Sequence, residues 1–360
     1  MRFRKLGRTG LKVSTLGLGT EFLHRQRRKT VIDVIHKAID NGVNYFDIVF
    51  AFPEYRDYLG AAFKGYRDKT IVCGHICCAE TKGHYRLSRD VKENEKLFND
   101  LLKRLNVDYV DIVMIQMVNE VISYENIMKS GGIMELAQKI KRQGKARFIG
   151  ISGHKTVATS NTLKTGLVDM LMFPINIAWD FVPGRKEILK VCAKDNIGLV
   201  AMKPYAGGRI FAKPILPAQA INYCLSQKPV ATVVPGVKSI KELDETLKFL
   251  SADKQEKDFR PILKDCQEEL RGNCVYCNHC LPCPQRIDIG NVLNRIDRAM
   301  KQVSEKVKFY YPGRLRLSRE HYKGLLTKAS KCNECGICIK RCPFEVDIIA
   351  KMRQARRLLK

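Results

Sequence analysis

Tyr109-Val110-Asp111-Ile112-Val113-Met114-Ile115-Gln116 is a run rich in apolar and β-branched residues with longer amphipathic stretches on either side. Such a run predicts a strand between two helices. The same alternation repeats in both directions. Upstream, Thr70–Gly74, Asn44–Asp47 and Thr15–Leu18 read as strands, and downstream so do Arg147–Ser152, Val168–Phe173, Gly198–Lys203 and Ala231–Val234. An opening hairpin, Phe3-Arg4-Lys5-Leu6 turning through Gly7-Arg8-Thr9-Gly10 into Lys12-Val13-Ser14, precedes the first of them. Eight strand-helix units within about 250 residues imply an α/β fold with a closed (β/α)8 TIM barrel in place of an open sheet.

The chain has 360 residues, too many for one typical domain, and its 45% hydrophobic and 28% charged content is that of a folded protein. The sequence divides into a barrel over 1–250, a charged connecting helix over 251–272 (Ala252 to Leu270 at its heart) and a cysteine-rich domain over 273–360. No apolar run reaches the ~18 residues that cross a bilayer, and Met1-Arg2-Phe3-Arg4-Lys5 leads into a polar turn, not the apolar core of a signal peptide. A cytoplasmic protein without a membrane span is expected.

Eight of the fourteen cysteines fall into two runs. The first is Cys274-Val-Tyr-Cys277-Asn-His-Cys280-Leu-Pro-Cys283-Pro284, the second Cys332-Asn-Glu-Cys335-Gly-Ile-Cys338-Ile-Lys-Arg-Cys342-Pro343. A cysteine at every third residue wraps three thiolates around three corners of a cubane, while the cysteine before proline projects away and serves the neighbouring cluster. Two [4Fe-4S] clusters are expected, one on Cys274, Cys277, Cys280 and Cys342, the other on Cys332, Cys335, Cys338 and Cys283. Zinc is the competing ligand, but it takes four donors in two well-separated pairs, whereas each run here supplies four of its own. The helix-like stretch from Ile287 to Leu326 between the runs predicts a mostly helical, ferredoxin-like [4Fe-4S] domain after the barrel.

The formal charge of +27 is trimmed by cluster thiolates but leaves a strongly basic surface. Such a field attracts acidic partners, among them a small redox carrier such as a ferredoxin or flavodoxin. Nucleic-acid binding rests on charge alone, with no base-stacking motif beside it.

Phe3-Arg4-Lys5-Leu6-Gly7-Arg8-Thr9-Gly10-Leu11-Lys12-Val13-Ser14 with Gly17-Leu18-Gly19-Thr20 resembles the opening of an aldo-keto reductase. Gly42–Asp47 resembles that family's second strand, Arg147–Ser152 its fifth, Val200-Ala201-Met202-Lys203-Pro204 with Ala206-Gly207-Gly208 its seventh, and Val234-Pro235-Gly236 with Ser239 its eighth. The branch with a C-terminal dicluster domain is similar over the remainder. The resemblance implies the barrel fold and an oxidoreductase. It also implies four catalytic positions, Asp, Tyr, Lys and His, of which Asp47 alone is kept. The other three are Phe52, His75 and Gln116.

A phenyl ring has no proton to give, so another group must replace the tyrosine. Tyr55, one turn further on, is one option and an ordinary surface tyrosine is its other reading. His75 is the better candidate, at an inward-facing position and with a ring that titrates near neutral pH. Asp47 and His75 are therefore the expected catalytic pair. Alternation along strand three also puts Cys73, His75 and Cys77 on one face if the strand stays extended, where they could hold a metal or act as redox thiols.

The loops after strands seven and eight form a phosphate site in many barrels. Pro235-Gly236-Val237-Lys238-Ser239 occupies that place, with Lys203 ending strand seven and Ser152 ending strand five, so Ser152, Lys203, Gly236, Lys238 and Ser239 are expected to hold the phosphate-bearing cofactor, NADP or FMN. The expected activity is an iron-sulfur oxidoreductase that couples one-electron transfer to reduction or oxidation of a small molecule. The alternative is a non-catalytic electron-transfer or assembly component with the barrel as a docking scaffold.

Overall fold

The computed structural model of the chain describes residues 1–81, 83–119, 121–177, 184–205, 215–263, 271–274, 276, 280–300, 314–342 and 344–360. They form two compact units, one reaching Ile262 and the other running from Leu263 to Lys360.

A hairpin of β1 (Phe3–Lys5) and β2 (Lys12–Ser14) opens the first unit, with Phe3 opposite Ser14. Eight parallel strands follow, in the order β3 (Leu18–Gly19), β4 (Tyr45–Ile48), β5 (Ile71–Ile76), β8 (Val110–Ile115), β9 (Ala146–Ser152), β10 (Met170–Pro174), β11 (Gly198–Met202) and β12 (Val230–Val234). Parallel bridges from Leu16 to Val233 and from Gly19 to Gly236 tie the first strand to the last. The first strand thus holds only two residues as ladder where Thr15–Leu18 was expected, and it meets its partner across a seam of close backbone contact. A Cβ on Gly17 would stand 3.0 Å from both Thr232 Oγ1 and Val234 Cγ1.

All six residues of β8 are buried, as a strand covered on both faces requires. Inside the barrel the core is unusually rich in sulfur: Cys73, Met114, Met170, Met172 and Met202 pack with Tyr45, Ile112 and Val200. The helices follow their strands by the same logic. On α3 (Val91–Leu105), Phe98, Leu101, Leu102 and Leu105 recur at helical spacing on the buried face, and the Asp90 carboxylate caps the start by accepting the Glu93 N–H.

Between β5 and α3 the chain inserts an antiparallel hairpin, β6 (Cys78–Thr81) with β7 (His84–Leu87). Alternation through Cys77 fails for the same reason: Cys77 takes a left-handed backbone, φ 71°, and ends β5. The expected helix from Ala252 also begins differently. α9 (Ile240–Ser251) stops at an extended Ala252, and residues 254–257 form turns in which Asp253 and Glu256 bond each other's backbone N–H groups. Residues 264–270 of that segment lie outside the described residues.

In the second unit, α10 (Ile289–Met300) and α11 (Arg314–Lys323) pack together, and α12 (Ile348–Leu358) packs on α10. The stretch expected to be helical from Ile287 to Leu326 is therefore helical at its two ends, with 301–313 outside the described residues. No helix among the described residues is long and apolar enough to cross a membrane.

Candidate active site and cysteine pocket

Asp47 lies one residue before the end of β4, and His75 sits two residues before Cys77 on the neighbouring strand β5. Their side chains meet: His75 Nε2 lies 2.8 Å from Asp47 Oδ1, and both residues are buried. An ionised carboxylate only accepts, so Nε2 carries the proton and Nδ1 presents a lone pair. That Nδ1 has no hydrogen-bond partner. Beneath the pair is Cys73, paired in register with Asp47. Burial, and then the Asp47 charge, push the Cys73 thiol well above its ordinary value.

Asp47, Cys73 and His75 bring one donor atom each within 4.8 Å of one another. Cys77 does not join them. Its left-handed turn sends it away, its N–H to Asn94 Oδ1 and its thiol towards Arg89. The expected trio of Cys73, His75 and Cys77 is thereby replaced by one in which the aspartate takes the third place.

Phe52 stands at the start of α2 (Pro53–Phe63), where Pro53 supplies the first helical residue. Tyr55, one turn on, is 2% exposed, so a surface position does not describe it. Its hydroxyl is bonded to Thr20 Oγ1, which also donates to Asp47 O at 2.7 Å. Burial raises its phenol far above the usual range.

Two residues at this end of the barrel had no signal in the sequence. His24 follows a short 3-10 turn and stacks on Phe52, and burial with the adjacent Arg25 lowers its imidazole to about 4. Glu21, on the same turn, senses Lys203, Asp47 and His75, and desolvation raises its carboxyl above its ordinary value. Neither lies in a regular element, so hydrophobic periodicity could not place them.

The expected phosphate residues stand at the strand ends, where neighbouring groups already engage them. Ser152 is buried and its Oγ accepts the Met117 N–H at 3.1 Å. Lys203, with φ 55°, extends its Nζ to His154 Nε2 at 2.9 Å, and burial beside this cation lowers His154 to about 3. After β12, the Lys238 N–H donates to Glu242 Oε2 at 3.0 Å, Lys238 Nζ lies 3.2 Å from Glu242 Oε1, and Ser239 caps α9. The Phe22 ring lies so close to Gly236 that an added Cβ would meet it at 2.4 Å. A phosphate fits here only if Glu242 and Phe22 move aside.

In the second unit Cys283, Cys332, Cys335 and Cys338 line one pocket. Cys280 reaches the same pocket, and Ile287, Ile289, Ile348, Ile349 and Met352 make up most of its apolar wall. Four soft donors in an apolar setting match the donor set of an iron-sulfur cluster. Burial, and then the nearness of Cys332 and Cys283, raise the Cys338 thiol. In the first run Cys274 accepts the Tyr276 N–H at 3.3 Å. Cys274 and Cys342 are partly buried, Cys280 is buried, and Cys277 lies outside the described residues.

The profile of the aldo/keto reductase family matches residues 15–219, more than half of the 360 residues. The chain belongs to this family. In this aldo/keto reductase a second match, to the 4Fe-4S dicluster domain, covers residues 273–347. An uncharacterized oxidoreductase, YqkF, of Bacillus subtilis is 24% identical over 294 residues, 70% of this chain and 92% of its own. L-galactose dehydrogenase of Arabidopsis thaliana is 24% identical over 289 residues, 69% of this chain and 87% of its own. Among solved structures, the holo form of an aldo-keto reductase from Bacillus halodurans superposes with a TM-score of 0.62 at 21% identity, covering 74% of this reductase and 96% of its own chain. That likeness extends to the fold. The iron-sulfur domain makes this aldo/keto reductase an iron-sulfur oxidoreductase.

Proposed function

We propose that this aldo/keto reductase interconverts a hydroxyl and a carbonyl group on a small molecule held at the mouth of the barrel, with Asp47 and His75 as its proton-handling pair. The buried 2.8 Å contact between them carries the reading. The usual proton donor is lost at Phe52, and the two other altered positions are His75 and Gln116. A neutral His75 takes a proton at Nδ1 from a hydroxyl, and the imidazolium so formed returns it to a carbonyl oxygen. The Asp47 carboxylate fixes the tautomer and stabilises the cation. The name of the plant relative, a dehydrogenase of L-galactose, supports chemistry at such a carbon.

Interconverting the two groups moves two electrons and two hydrogens: His75 would handle the hydroxyl proton, and the hydrogen on carbon would leave as hydride to NADP or FMN, whose electrons the clusters would carry one at a time. Two [4Fe-4S] clusters, on Cys274, Cys277, Cys280 and Cys342 and on Cys332, Cys335, Cys338 and Cys283, supply one-electron transfer. The gathering of Cys283 with Cys332, Cys335 and Cys338 around one pocket supports this exchange of the fourth ligands. NADP or FMN would bind through Ser152, Lys203, Gly236, Lys238 and Ser239, and the present seats of Glu242 and Phe22 weigh against either in this conformation. The electron partner we propose is an acidic carrier of the ferredoxin or flavodoxin class. Exposed Lys331, Lys340 and Arg341 flank the exposed Cys335 in sequence, and the whole chain carries +27.

The test is oxidation of small alcohols, with a one-electron dye as acceptor, by protein purified without oxygen. Activity that His75→Phe abolishes at unchanged iron content supports the reading. Full activity in that variant refutes it.

A further inference from the structure

A guanidinium is fixed against the backbone of a cysteine that lines the second unit's pocket. Arg356, partly buried on α12, donates from Nε to Ala329 O at 3.1 Å and from an Nη to Cys332 O at 2.6 Å. Helical spacing explains the aim. Met352, four residues earlier on the same helix, lines the pocket shared by Cys283, Cys332, Cys335 and Cys338, so Arg356 follows it on the same face. Two bonds from one rigid fork hold the charge beside this loop.

The neighbouring charges leave that cation in excess. Glu334, between Cys332 and Cys335, also lines the pocket, but its carboxylate is taken by Arg353, with Nε 3.0 Å from Oε1 and an Nη against Oε2. The bond from Arg353 first, and the nearby charge of Arg356 as well, hold the Glu334 carboxyl below its ordinary value. Among the described residues, the bonds of Arg356 go to carbonyls alone. Arg341 repeats the arrangement on the other loop, where it donates to O of Pro282, the residue before Cys283, at 3.0 Å. An amide side chain would satisfy a carbonyl without desolvating a charge, so the charge itself is the feature to explain.

A [4Fe-4S] core held by thiolates is anionic, and reduction adds one electron with no proton to offset it. A fixed cation nearby favours the reduced form by Coulomb attraction, more strongly beside an apolar wall than in water. We infer that Arg356 raises the reduction potential of the cluster held by Cys332, Cys335, Cys338 and Cys283. This rests on the cluster assignment above and adds a residue that tunes the cluster without ligating it.

The experiment is a redox titration of the full chain, purified without oxygen and followed by electron paramagnetic resonance. The signal of this cluster is the one missing from Cys283→Ser. At the applied potential where it is half reduced in the unaltered protein, Arg356→Gln is expected to show a reduced-to-oxidised ratio at least about threefold lower. The other cluster should stay within about twofold of its own ratio, because the charge lies beside one loop only. Arg356→Lys keeps the charge and is expected to stay within about twofold of the unaltered protein. Full iron with an unmoved ratio in Arg356→Gln overturns the inference, as does a shift in Arg356→Lys equal to that in Arg356→Gln. Arg356→Met repeats the test should the glutamine variant lose iron, and loss of half the iron in both also overturns it, since arginine then holds the loop without tuning the electron. These outcomes leave the cluster assignment standing. Absence of any iron-sulfur signal from the unaltered protein overturns both.

Discussion

His24 lies flat on Phe52, with ring centroids 3.9 Å apart and planes 8° from parallel. Burial keeps that imidazole neutral at physiological pH, since it titrates at about 4. The stack thus covers the position from which a tyrosine would act. Restoring a phenol by Phe52→Tyr leaves His75 bound to Asp47, with no lysine beside the new hydroxyl. NADPH-dependent reduction of simple aldehydes is expected to rise by less than about tenfold. A gain of about a hundredfold or more would show that the pocket has diverged only at this residue.

Replacing His75 by phenylalanine removes the proposed proton acceptor but keeps a ring of similar shape. The rate of alcohol oxidation is expected to fall by about 10²–10⁴, the usual worth of a general acid-base group. Iron content should not change. Assays at saturating alcohol separate this loss from weaker binding, because the missing proton transfer lowers kcat.

Acid should loosen the barrel in a defined window. His24 and His154 titrate at about 4 and about 3, against 6.5 for a free imidazole. Between these values the unfolded chain binds more protons than the folded one. The stability is therefore complete above pH 6.5, is lost as pH falls towards 4, and stops falling near 3. Each imidazole contributes a change of at most about tenfold per pH unit to the opening equilibrium. Hydrogen exchange of the β9 and β11 amides, corrected for intrinsic rates, reports it, and His154→Asn should flatten part of the slope. A flat profile for the unaltered protein between pH 6.5 and 4 would contradict the burial of these rings.

The cluster assignment predicts an asymmetric loss. Cys283→Ser should remove the cluster of the Cys332 run and lower the iron from about eight to about four atoms per chain, sparing the cluster held by Cys274, Cys277, Cys280 and Cys342. Iron analysis with spectra of the reduced protein would detect it. Loss of the other cluster instead would show that Cys283 serves its own run.

Much of the fold was legible because buried parallel strands leave continuous apolar runs, as at Val110–Ile115 and Gly198–Met202. Elements whose stability comes from elsewhere were not. The strand His84–Leu87 is exposed along its whole length and alternates nothing, so the inserted hairpin carried no signal. Leu18–Gly19 is a strand because the barrel closes there. Cys77 shows the limit of alternation: two residues after His75 it was expected on the same face, but a left-handed backbone at this one position turned it away. The Asp47–His75 pair was accessible to reasoning because each side chain ends or lines a strand. Glu21 and His24 sit on an irregular turn whose position only the folded chain defines.

Iron and acid-labile sulfide analysis of the protein purified without oxygen, joined to electron paramagnetic resonance after reduction, tests the central claim most directly. About eight irons and eight sulfides per chain, with signals from two reduced [4Fe-4S] clusters, are expected. A colourless protein with about two zinc ions and no iron-sulfur signal would contradict the account.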